Sequence, residues 1–515
     1  MERSAASRMG LFPQQTFLVG MSQLRRALLL ATGERYFTLA VSFLTVAVIS
    51  RLLSPDEIGI SLVGLAVVGF FAAAREFASP NFLIQHQQLS LDEIRKSFSV
   101  LLLITLVIAA VLFGSAPWVA DLYGDARLTP FLRVLSLAVL FEAASATVVS
   151  LLRREMAFAR VALINGSIAV ATSAVTVGSA LAGLSYMSFA WANLASAGVG
   201  AGLALVLYPD HRIFKPLFRG WRGLLAFGGY NGTNILLHRV YEMLPYLVLG
   251  RLLSADAVAF FNRSLMLCQL PDKVFLLGAT SVILPAFSEI VRDGRTLKTP
   301  YLNAVSLITG IQWPALVVLA LLAEPIVGLL FGPQWISIVP YVQIIAVATL
   351  FSFSFQLNYP VFILVGAVRD SFVRGLIIWP VSALVLTVAA FFGLKAAALS
   401  FLFAIPFQAF VSLQFVRKHL DIRWMELAKA TSKSLAVTAA TAIGPIAVLI
   451  VVGDGWNLTV LEALEASVLA GAGWLAGIVF TGHDLRSELQ QVAGHLSSRL
   501  GLIPRALRAA APQKG

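Results

Sequence analysis

The chain has a single cysteine and few charged residues. Cys268 is the one cysteine among 515 residues, and Asp, Glu, Lys and Arg together make up 12%. A lone cysteine excludes an intramolecular disulfide framework and any metal cluster built from paired cysteines. The low charge, combined with 58% hydrophobic residues and a mean hydropathy of +0.85, excludes a soluble domain of this size. We therefore expect an integral membrane protein.

Fourteen apolar stretches approach or exceed the length of about 20 residues that crosses a bilayer. All of them are interpreted as helices, because an isolated strand facing lipid would leave its backbone groups unpaired. Two long apolar stretches must turn, one at residues 183–185 and the other at residues 366–370. The predicted spans lie near residues 36–50, 58–79, 97–118, 134–152, 161–182, 184–208, 223–250, 256–286, 302–323, 337–363, 375–393, 396–416, 434–453 and 457–481.

The positive residues alternate from one side of the predicted spans to the other. Of 38 Lys and Arg residues, 29 fall on the side that also holds both termini, five fall in the opposite loops, and four lie within spans. Cytoplasmic loops carry an excess of Lys and Arg, so both termini are predicted to be cytoplasmic. The net charge of +12 then indicates orientation in a membrane and does not indicate a nucleic acid partner.

A six-residue turn occurs twice. Residues 51–56 read Arg-Leu-Leu-Ser-Pro-Asp, and residues 251–256 read Arg-Leu-Leu-Ser-Ala-Asp, in predicted outside loops after spans one and seven. Equal orientation indicates a parallel repeat of six spans, and a Ser or Asp in each turn can cap the next helix. The predicted organisation is a cytoplasmic N-terminal segment (1–34), an N-terminal six-helix lobe (35–210), a C-terminal six-helix lobe (211–420), two additional transmembrane helices (421–482), and a cytoplasmic, basic, amphipathic tail on the inner leaflet (483–515).

Ionisable residues inside the predicted spans are the strongest candidates for function. Each costs about 2.5 to 3.5 kcal/mol at the centre of a bilayer unless it faces a cavity or a partner. His238, Arg239 and Glu242 share one face of span seven. An alternative is that neighbouring charges form structural pairs, and His238 could be a packed residue. The full set is Arg75, Glu76, Glu142, His238, Arg239, Glu242, Arg263, Asp272, Lys273, Glu462 and Glu465.

The charges within the predicted spans favour an anionic solute, because one of the cations has no acidic neighbour to neutralise it. Arg263 has no acidic neighbour in the sequence, and a planar guanidinium can bind two oxygens of a phosphate or carboxylate. The alternative structural pairs are Arg75 with Glu76, Arg239 with Glu242, and Asp272 with Lys273.

Four short motifs resemble those of the Wzx-type polysaccharide flippases, within the multidrug, oligosaccharidyl-lipid and polysaccharide exporter superfamily. They are the turn extended to residues 51–59, Phe-Phe-Asn-Arg at 260–263, Leu-Pro-Ala-Phe-Ser at 284–288, and Leu-Leu-Phe-Gly-Pro-Gln-Trp at 329–335. The likeness covers residues 30–420 and continues more weakly beyond. It implies a V-shaped pair of six-helix bundles that alternates between inward-open and outward-open states.

The resemblance also implies a cargo and a site. The cargo would be an undecaprenyl-pyrophosphate-linked oligosaccharide, moved across the bacterial inner membrane for exopolysaccharide or lipopolysaccharide synthesis. Membrane lipids and a polysaccharide polymerase complex are the other expected partners. Basic residues of a central cavity would bind the pyrophosphate, here Arg75, Arg239, Arg263 and Lys273.

No cofactor is expected. The sequence has no Walker-type phosphate loop, so transport would use the membrane potential or a proton or sodium gradient. The candidate coupling carboxylates are Glu142, Glu242 and Asp272. Two alternatives remain, a multidrug or organic-cation antiporter of the same superfamily and an enzyme such as a membrane glycosyltransferase, polymerase or ligase. The short predicted outside loops argue against the enzyme.

Overall fold

A computed structural model describes residues 14–78, 83, 89–218, 222–452 and 458–490. Every regular element in these ranges is helical. The α-helices are α1 (Gln14–Leu52), α2 (Pro55–Ala72), α3 (Leu91–Tyr123), α4 (Leu128–Arg154), α5 (Phe158–Leu181), α6 (Met187–Leu207), α7 (Arg222–Leu252), α8 (Ala255–Cys268), α9 (Leu270–Arg292), α10 (Lys298–Leu321), α11 (Ala323–Phe331), α12 (Val339–Thr349), α13 (Asn358–Leu364), α14 (Val368–Ala390), α15 (Leu394–Leu420), α16 (Trp424–Val452) and α17 (Val460–Thr481).

Short 3-10 helices connect several of them. They span Ala73–Ala78 after α2, His211–Phe214 before α7, Pro333–Ile338 before α12 and Leu350–Ser354 after α12.

Local sequence explains where several helices begin and end. Ser54 and Ser90 accept the backbone N–H of Glu57 and of Glu93, and each glutamate reaches back to the backbone of its cap, which forms a capping box. α3 ends at Gly124, where φ is 69°, a left-handed conformation that glycine adopts without strain. These signals are local, so they act wherever the helix is placed.

Twelve helical segments in the described ranges are long and apolar enough to cross a membrane. They confirm an all-helical membrane fold and correspond to twelve of the fourteen predicted spans. The two turns predicted within apolar stretches are also present, since α5 ends at Leu181 before α6 begins at Met187, and α13 ends at Leu364 before α14 begins at Val368.

The remaining two predicted spans, near 223–250 and 256–286, stay predictions. α7 covers the first of them and carries Arg239 and Glu242 among its charges. The second is divided at Gln269 into α8 and α9, and α8 has only 14 residues.

Contacts divide the chain into two compact units, Met1–Ala259 and Phe260–Gly515. The N-terminal unit packs α4, α5 and α6 around fully buried residues such as Val148, Leu152 and Ile164. The C-terminal unit has its own core, in which Tyr301 and Leu357 are fully buried. The predicted lobe boundary at residue 210 and the V-shaped arrangement stay predictions.

The start of the predicted tail packs on the C-terminal unit. Leu485 is buried against Val437 of α16 and Ile478 of α17, and Leu489 packs on the same cluster. His483 is 1% exposed, and its Nε2 lies 3.0 Å from the Ser434 hydroxyl. The predicted tail beyond residue 490 lies outside the described residues.

Candidate functional site

The two copies of the repeated turn have the same structural role. Ser54 accepts the backbone N–H of Glu57 at the start of α2, and the Ser254 hydroxyl accepts the N–H of Ala257 at 3.2 Å at the start of α8. Both serines therefore cap the following helix, as predicted. The copies are structural turns, and the ionisable residues of the site lie elsewhere.

α2 and α7 pack closely in the N-terminal unit, and glycines make this approach possible. A Cβ atom added to Gly59 would overlap the carbonyl oxygen of Ala255, at the start of α8. A Cβ on Gly250 of α7 would lie 2.6 Å from Cγ2 of Val63. Each separation is shorter than any normal Cβ contact, so a side chain at either position would push the helices apart.

A third contact fixes the register of α2 and α7. A Cβ on Gly69 would lie 2.8 Å from Sδ of Met243. From Gly59 to Gly69 the numbers rise along α2 while their partners fall from Ala255 to Met243, so the helices are antiparallel. Continued past Gly69, this register places Arg75 opposite the turn of α7 that carries His238 and Arg239. The 3-10 helix that contains Arg75 does pack on α7.

Arg75 forms an ion pair with Glu142 of α4. Arg75 Nη1 lies 2.5 Å from Glu142 Oε2, and the two side chains are 23% and 43% exposed. The structure thus joins a predicted substrate-binding cation to a predicted coupling carboxylate 67 positions away in the chain. The Glu76 side chain, its neighbour in the sequence, lies outside the described part of the chain.

The predicted cluster on α7 is present. Arg239 Nη1 lies 3.1 Å from Glu242 Oε2, and His238 Nε2 lies 3.6 Å from Glu242 Oε1. The Arg239 side chain is 54% exposed, so the cluster does not point into the protein core. Because α7 is mostly apolar, an exposed charged face on it is costly in lipid and suits a water-filled path.

Arg263 lies in the C-terminal unit, where the protein encloses it. It is 3% exposed, and its Nη1 donates to Oδ1 of Asn262 at 2.9 Å. Its guanidinium carbon lies 5.8 Å from the ring centre of Phe331 and 5.5 Å from that of Trp335. Cation–π contacts of this kind stabilise a buried guanidinium. Two of the family-like motifs, at 260–263 and 329–335, therefore meet at this arginine.

Asp272 lies among neutral hydrogen-bond donors at the start of α9. The Asp272 carboxylate accepts hydrogen bonds from Gln312 Nε2 at 2.5 Å, Ser352 Oγ at 3.3 Å and Gln356 Nε2 at 3.4 Å. Lys273 is exposed. The described partners of Asp272 are neutral, so this pair of neighbours differs from the two arginine–glutamate pairs of the N-terminal unit.

Sequence reasoning missed these neutral partners. Gln312 is 3% exposed, and within the described residues its Oε1 has no hydrogen-bond partner. The sequence does contain one signal for this site, since Gln312 is a polar amide within the predicted apolar span 302–323. Arg374 was also missed, because the span predicted there begins one residue later, at residue 375. It lies in the second turn of α14, where its Nη1 donates to the Ser412 hydroxyl at 3.1 Å and its guanidinium faces Phe362.

The fold defines a multi-pass, all-helical membrane protein. Solved structures with the same fold include the lipid II flippase MurJ in an inward closed conformation, with a TM-score of 0.69 at 11% identity over 89% of this chain and 99% of that one. They also include an inward-facing multidrug resistance MATE family transporter of the MOP superfamily, with a TM-score of 0.60 at 16% identity over 75% of this chain and 94% of that one.

The chain belongs to the polysaccharide biosynthesis protein family, whose model matches residues 48–340. This match confirms the family that the motifs indicate. The lipopolysaccharide biosynthesis protein WzxC of Escherichia coli (strain K12) is 23% identical over 61% of this chain and 64% of its own length. The succinoglycan biosynthesis transport protein ExoT of Rhizobium meliloti (strain 1021) is 26% identical over 60% of this chain and 63% of its own length. The match thus spans slightly less than two thirds of these relatives.

Proposed function

We propose that this protein is a flippase, not an enzyme, that moves undecaprenyl-pyrophosphate-linked oligosaccharide units across the bacterial inner membrane by alternating access. The product would enter exopolysaccharide or lipopolysaccharide synthesis. Membership of the polysaccharide biosynthesis family supports this proposal, as does the name of ExoT, a transport protein of succinoglycan biosynthesis. In this proposal both termini are cytoplasmic, and membrane lipids and a polymerase complex are the further partners.

The observation that carries the proposal is the pair of arginines in the N-terminal unit. Arg75 and Arg239 lie on two elements that pack together, at the same level along the helix axes. Glu142 pairs with Arg75, and Glu242 pairs with Arg239. An arriving pyrophosphate can replace the carboxylate at each guanidinium, because both groups accept the same bidentate hydrogen bonds. The carboxylates keep the cations paired while the site is empty.

Lys273 and Arg263 contribute differently to this proposal. Lys273 is exposed on α9, where its ammonium group can approach an anionic sugar or phosphate. Arg263 is enclosed in the conformation described here, so it would bind substrate only after the contacts with Phe331 and Trp335 open. Arg75 and Arg239 are therefore the first residues to test.

In this proposal the membrane potential and an ion gradient drive transport. Outward movement of an anion from a negative cell interior gains about 2.3 kcal/mol per charge per 100 mV. Exchange with protons or sodium ions adds to this through Glu142, Glu242 or Asp272. Asp272 suits this role best among the three, because neutral donors surround its carboxylate and leave a proton or cation to balance its charge.

Reconstitution in vesicles with a fluorescent lipid-pyrophosphate oligosaccharide tests the proposal. Arg239→Ala should lower the flipping rate about tenfold or more, because a hydrogen bond to a charged group contributes about 1.5–3 kcal/mol. Arg212→Ala is the matched control, since Arg212 also pairs with one carboxylate but is 70% exposed, in the 3-10 helix before α7. Transport of cationic dyes instead of the lipid would identify an antiporter. A normal flipping rate in Arg239→Ala would contradict the assignment of Arg239 to the substrate site.

A further inference from the structure

Arg374 of α14 has hydrogen-bond donors that the described residues do not use. Its Nη1 donates to the Ser412 hydroxyl at 3.1 Å, whereas its buried Nε has no partner in the described part of the chain. A guanidinium carries five N–H donors and no acceptor. We propose that Arg374 is the centre of a phosphate-binding site in the C-terminal unit, whose ligand is the phosphate of a lipid headgroup or free phosphate. This site goes beyond the proposed transport function and does not depend on it.

The carboxylate nearest to Arg374 in the sequence is engaged by other cations. Asp370 precedes Arg374 by one helical turn, but its Oδ2 lies 2.8 Å from His419 Nε2 and 3.6 Å from Lys418 Nζ. No ion pair among the described residues includes Arg374. The Phe362 ring, 5.6 Å from the guanidinium carbon, stabilises the cation without neutralising it. A cation inside a helical span is costly unless an opposite charge pairs with it, so this arginine favours an anion.

Two neighbouring side chains add donors. Ser412 is fully buried, and while its oxygen accepts from Arg374, its own hydroxyl hydrogen has no acceptor among the described residues. Asn358 is 3% exposed, and neither its Nδ2 nor its Oδ1 has a partner in the described ranges. Asn358 lies one turn before Phe362 on α13, so the two side chains share a face, and Phe362 contacts the guanidinium. The packed helices α13, α14 and α15 thus bring amide, guanidinium and hydroxyl donors toward one place.

This set of donors fits a phosphate better than a carboxylate. One guanidinium can bind both oxygens of a carboxylate through two parallel hydrogen bonds. A phosphate has further oxygens, which the Ser412 hydroxyl and the Asn358 amide can bind as donors. The ligand class that uses all three side chains is therefore a phosphate group.

The site lies near the level of the lipid headgroups. Arg374 is roughly 9 Å from the start of α14 at 1.5 Å per residue, and its side chain is tilted back toward that end, the predicted cytoplasmic one. Trp424 begins α16 and stacks on Phe410, two positions before Ser412, with ring centres 5.6 Å apart. Tryptophan at the end of a span marks the headgroup layer. Arg374 is partly exposed and Ile377, one turn further on, is 39% exposed, so a headgroup can reach the guanidinium.

Thermal unfolding of the purified full-length protein in a non-ionic detergent tests the inference. Short-chain phosphatidylglycerol and inorganic phosphate are titrated separately at constant ionic strength. A ligand that binds the folded protein raises the midpoint temperature in proportion to the occupancy of its site. We expect a saturable rise in the parent protein, and at least tenfold weaker apparent affinity in Arg374→Gln, because the hydrogen bonds to charged oxygens are lost.

Three further variants make the test specific. Arg369→Gln is the matched control, since Arg369 is an exposed cation in the first turn of the same helix, and it should keep the affinity of the parent. Ser412→Ala retains the arginine and should weaken the affinity severalfold, which keeps the test decisive if Arg374→Gln does not fold. Asn358→Leu replaces an unpartnered amide with an apolar side chain of similar size, so it should weaken the affinity without lowering the midpoint of the ligand-free protein.

The outcomes identify the source of the phosphate or overturn the site. A rise with phosphatidylglycerol alone identifies a lipid headgroup as the ligand, whereas a rise with inorganic phosphate identifies the phosphate group itself. Absence of a saturable rise with either compound would overturn the inference, as would equal affinity in the parent, Arg374→Gln and Ser412→Ala. A protein that shows the Arg374-dependent rise but flips no lipid would contradict the proposed function and leave this site in place.

Discussion

Arg75 and Glu142 connect the 3-10 helix after α2 to α4 through an Nη1–Oε2 contact of 2.5 Å. Both side chains keep some exposure, so the pair is accessible to a solute. An arginine that is held by one acid and reachable by a second anion can exchange partners without ever lying unpaired in the membrane. This is the property that a site for a transient anionic headgroup requires.

Removal of the Arg75 cation should affect transport more than stability. We expect Arg75→Gln to lower flipping about tenfold or more, while the free energy of unfolding changes by less than about 1 kcal/mol, the usual limit for a partly exposed pair. Vesicle flipping and thermal unfolding of the same preparation measure the two effects. Arg95→Gln, which breaks an exposed pair with Asp92, is the control. A large loss of stability with normal flipping per folded molecule would make the pair structural.

The Asp272 cluster should determine the response to an ion gradient. Asp272→Asn preserves the size of the side chain but removes its charge, so flipping should no longer depend on an imposed proton or sodium gradient. Flipping driven by a membrane potential alone should persist. Asp210→Asn is the control, since this carboxylate pairs with Arg212 outside the predicted spans. Unchanged gradient dependence in Asp272→Asn would exclude this carboxylate as the coupling group.

Replacement of Arg263 should reduce stability before it affects transport. Arg263→Met removes the hydrogen bond to Asn262 and the contacts with two aromatic rings, at a cost of about 1 to 3 kcal/mol. Because the side chain is 3% exposed, we expect flipping per folded molecule to stay within about twofold of the parent. A tenfold loss in fully folded protein would instead support the sequence-based assignment of Arg263 to substrate binding.

Docking of residues 483–490 should weaken in acid. Burial lowers the pKa of His483 from its usual value of 6.5, and Lys433 acts in the same direction, against the opposing effect of Asp484. The undocked segment therefore binds a proton more readily than the docked one. Docking is at full strength above about pH 6.5 and is lost as the pH falls through the lowered pKa.

Hydrogen exchange of this segment between pH 5 and pH 8 measures the effect. His483→Gln should show weaker but pH-independent protection, because glutamine does not titrate. Ser487→Ala, an exposed change in the same segment, should keep the pH dependence of the parent. Protection that is equally strong at both ends of the range in the parent protein would contradict the expected role of His483.

The sequence alone was sufficient for features that depend on local chemistry. Apolar length predicted the spans that the structure confirms, glycine marked the turn at Gly366, and spacing along one helix predicted the contacts of His238 and Arg239 with Glu242. The serines of the repeated turns were expected to cap helices, and they do. Each feature involves residues within a few positions of one another.

Tertiary structure decided which distant residues meet. The described partner of Arg75 is Glu142, Asp272 accepts from Gln312, and Gly59 lies against Ala255. These choices depend on how each helix is rotated and how far it is shifted along its neighbour, and those quantities follow from the packing of whole helices. Hydropathy is nearly uniform around such helices, so it does not determine the rotation or the register of each helix. Only the packed fold specifies which side chains form the site and where the glycines of α2 and α7 make close contacts.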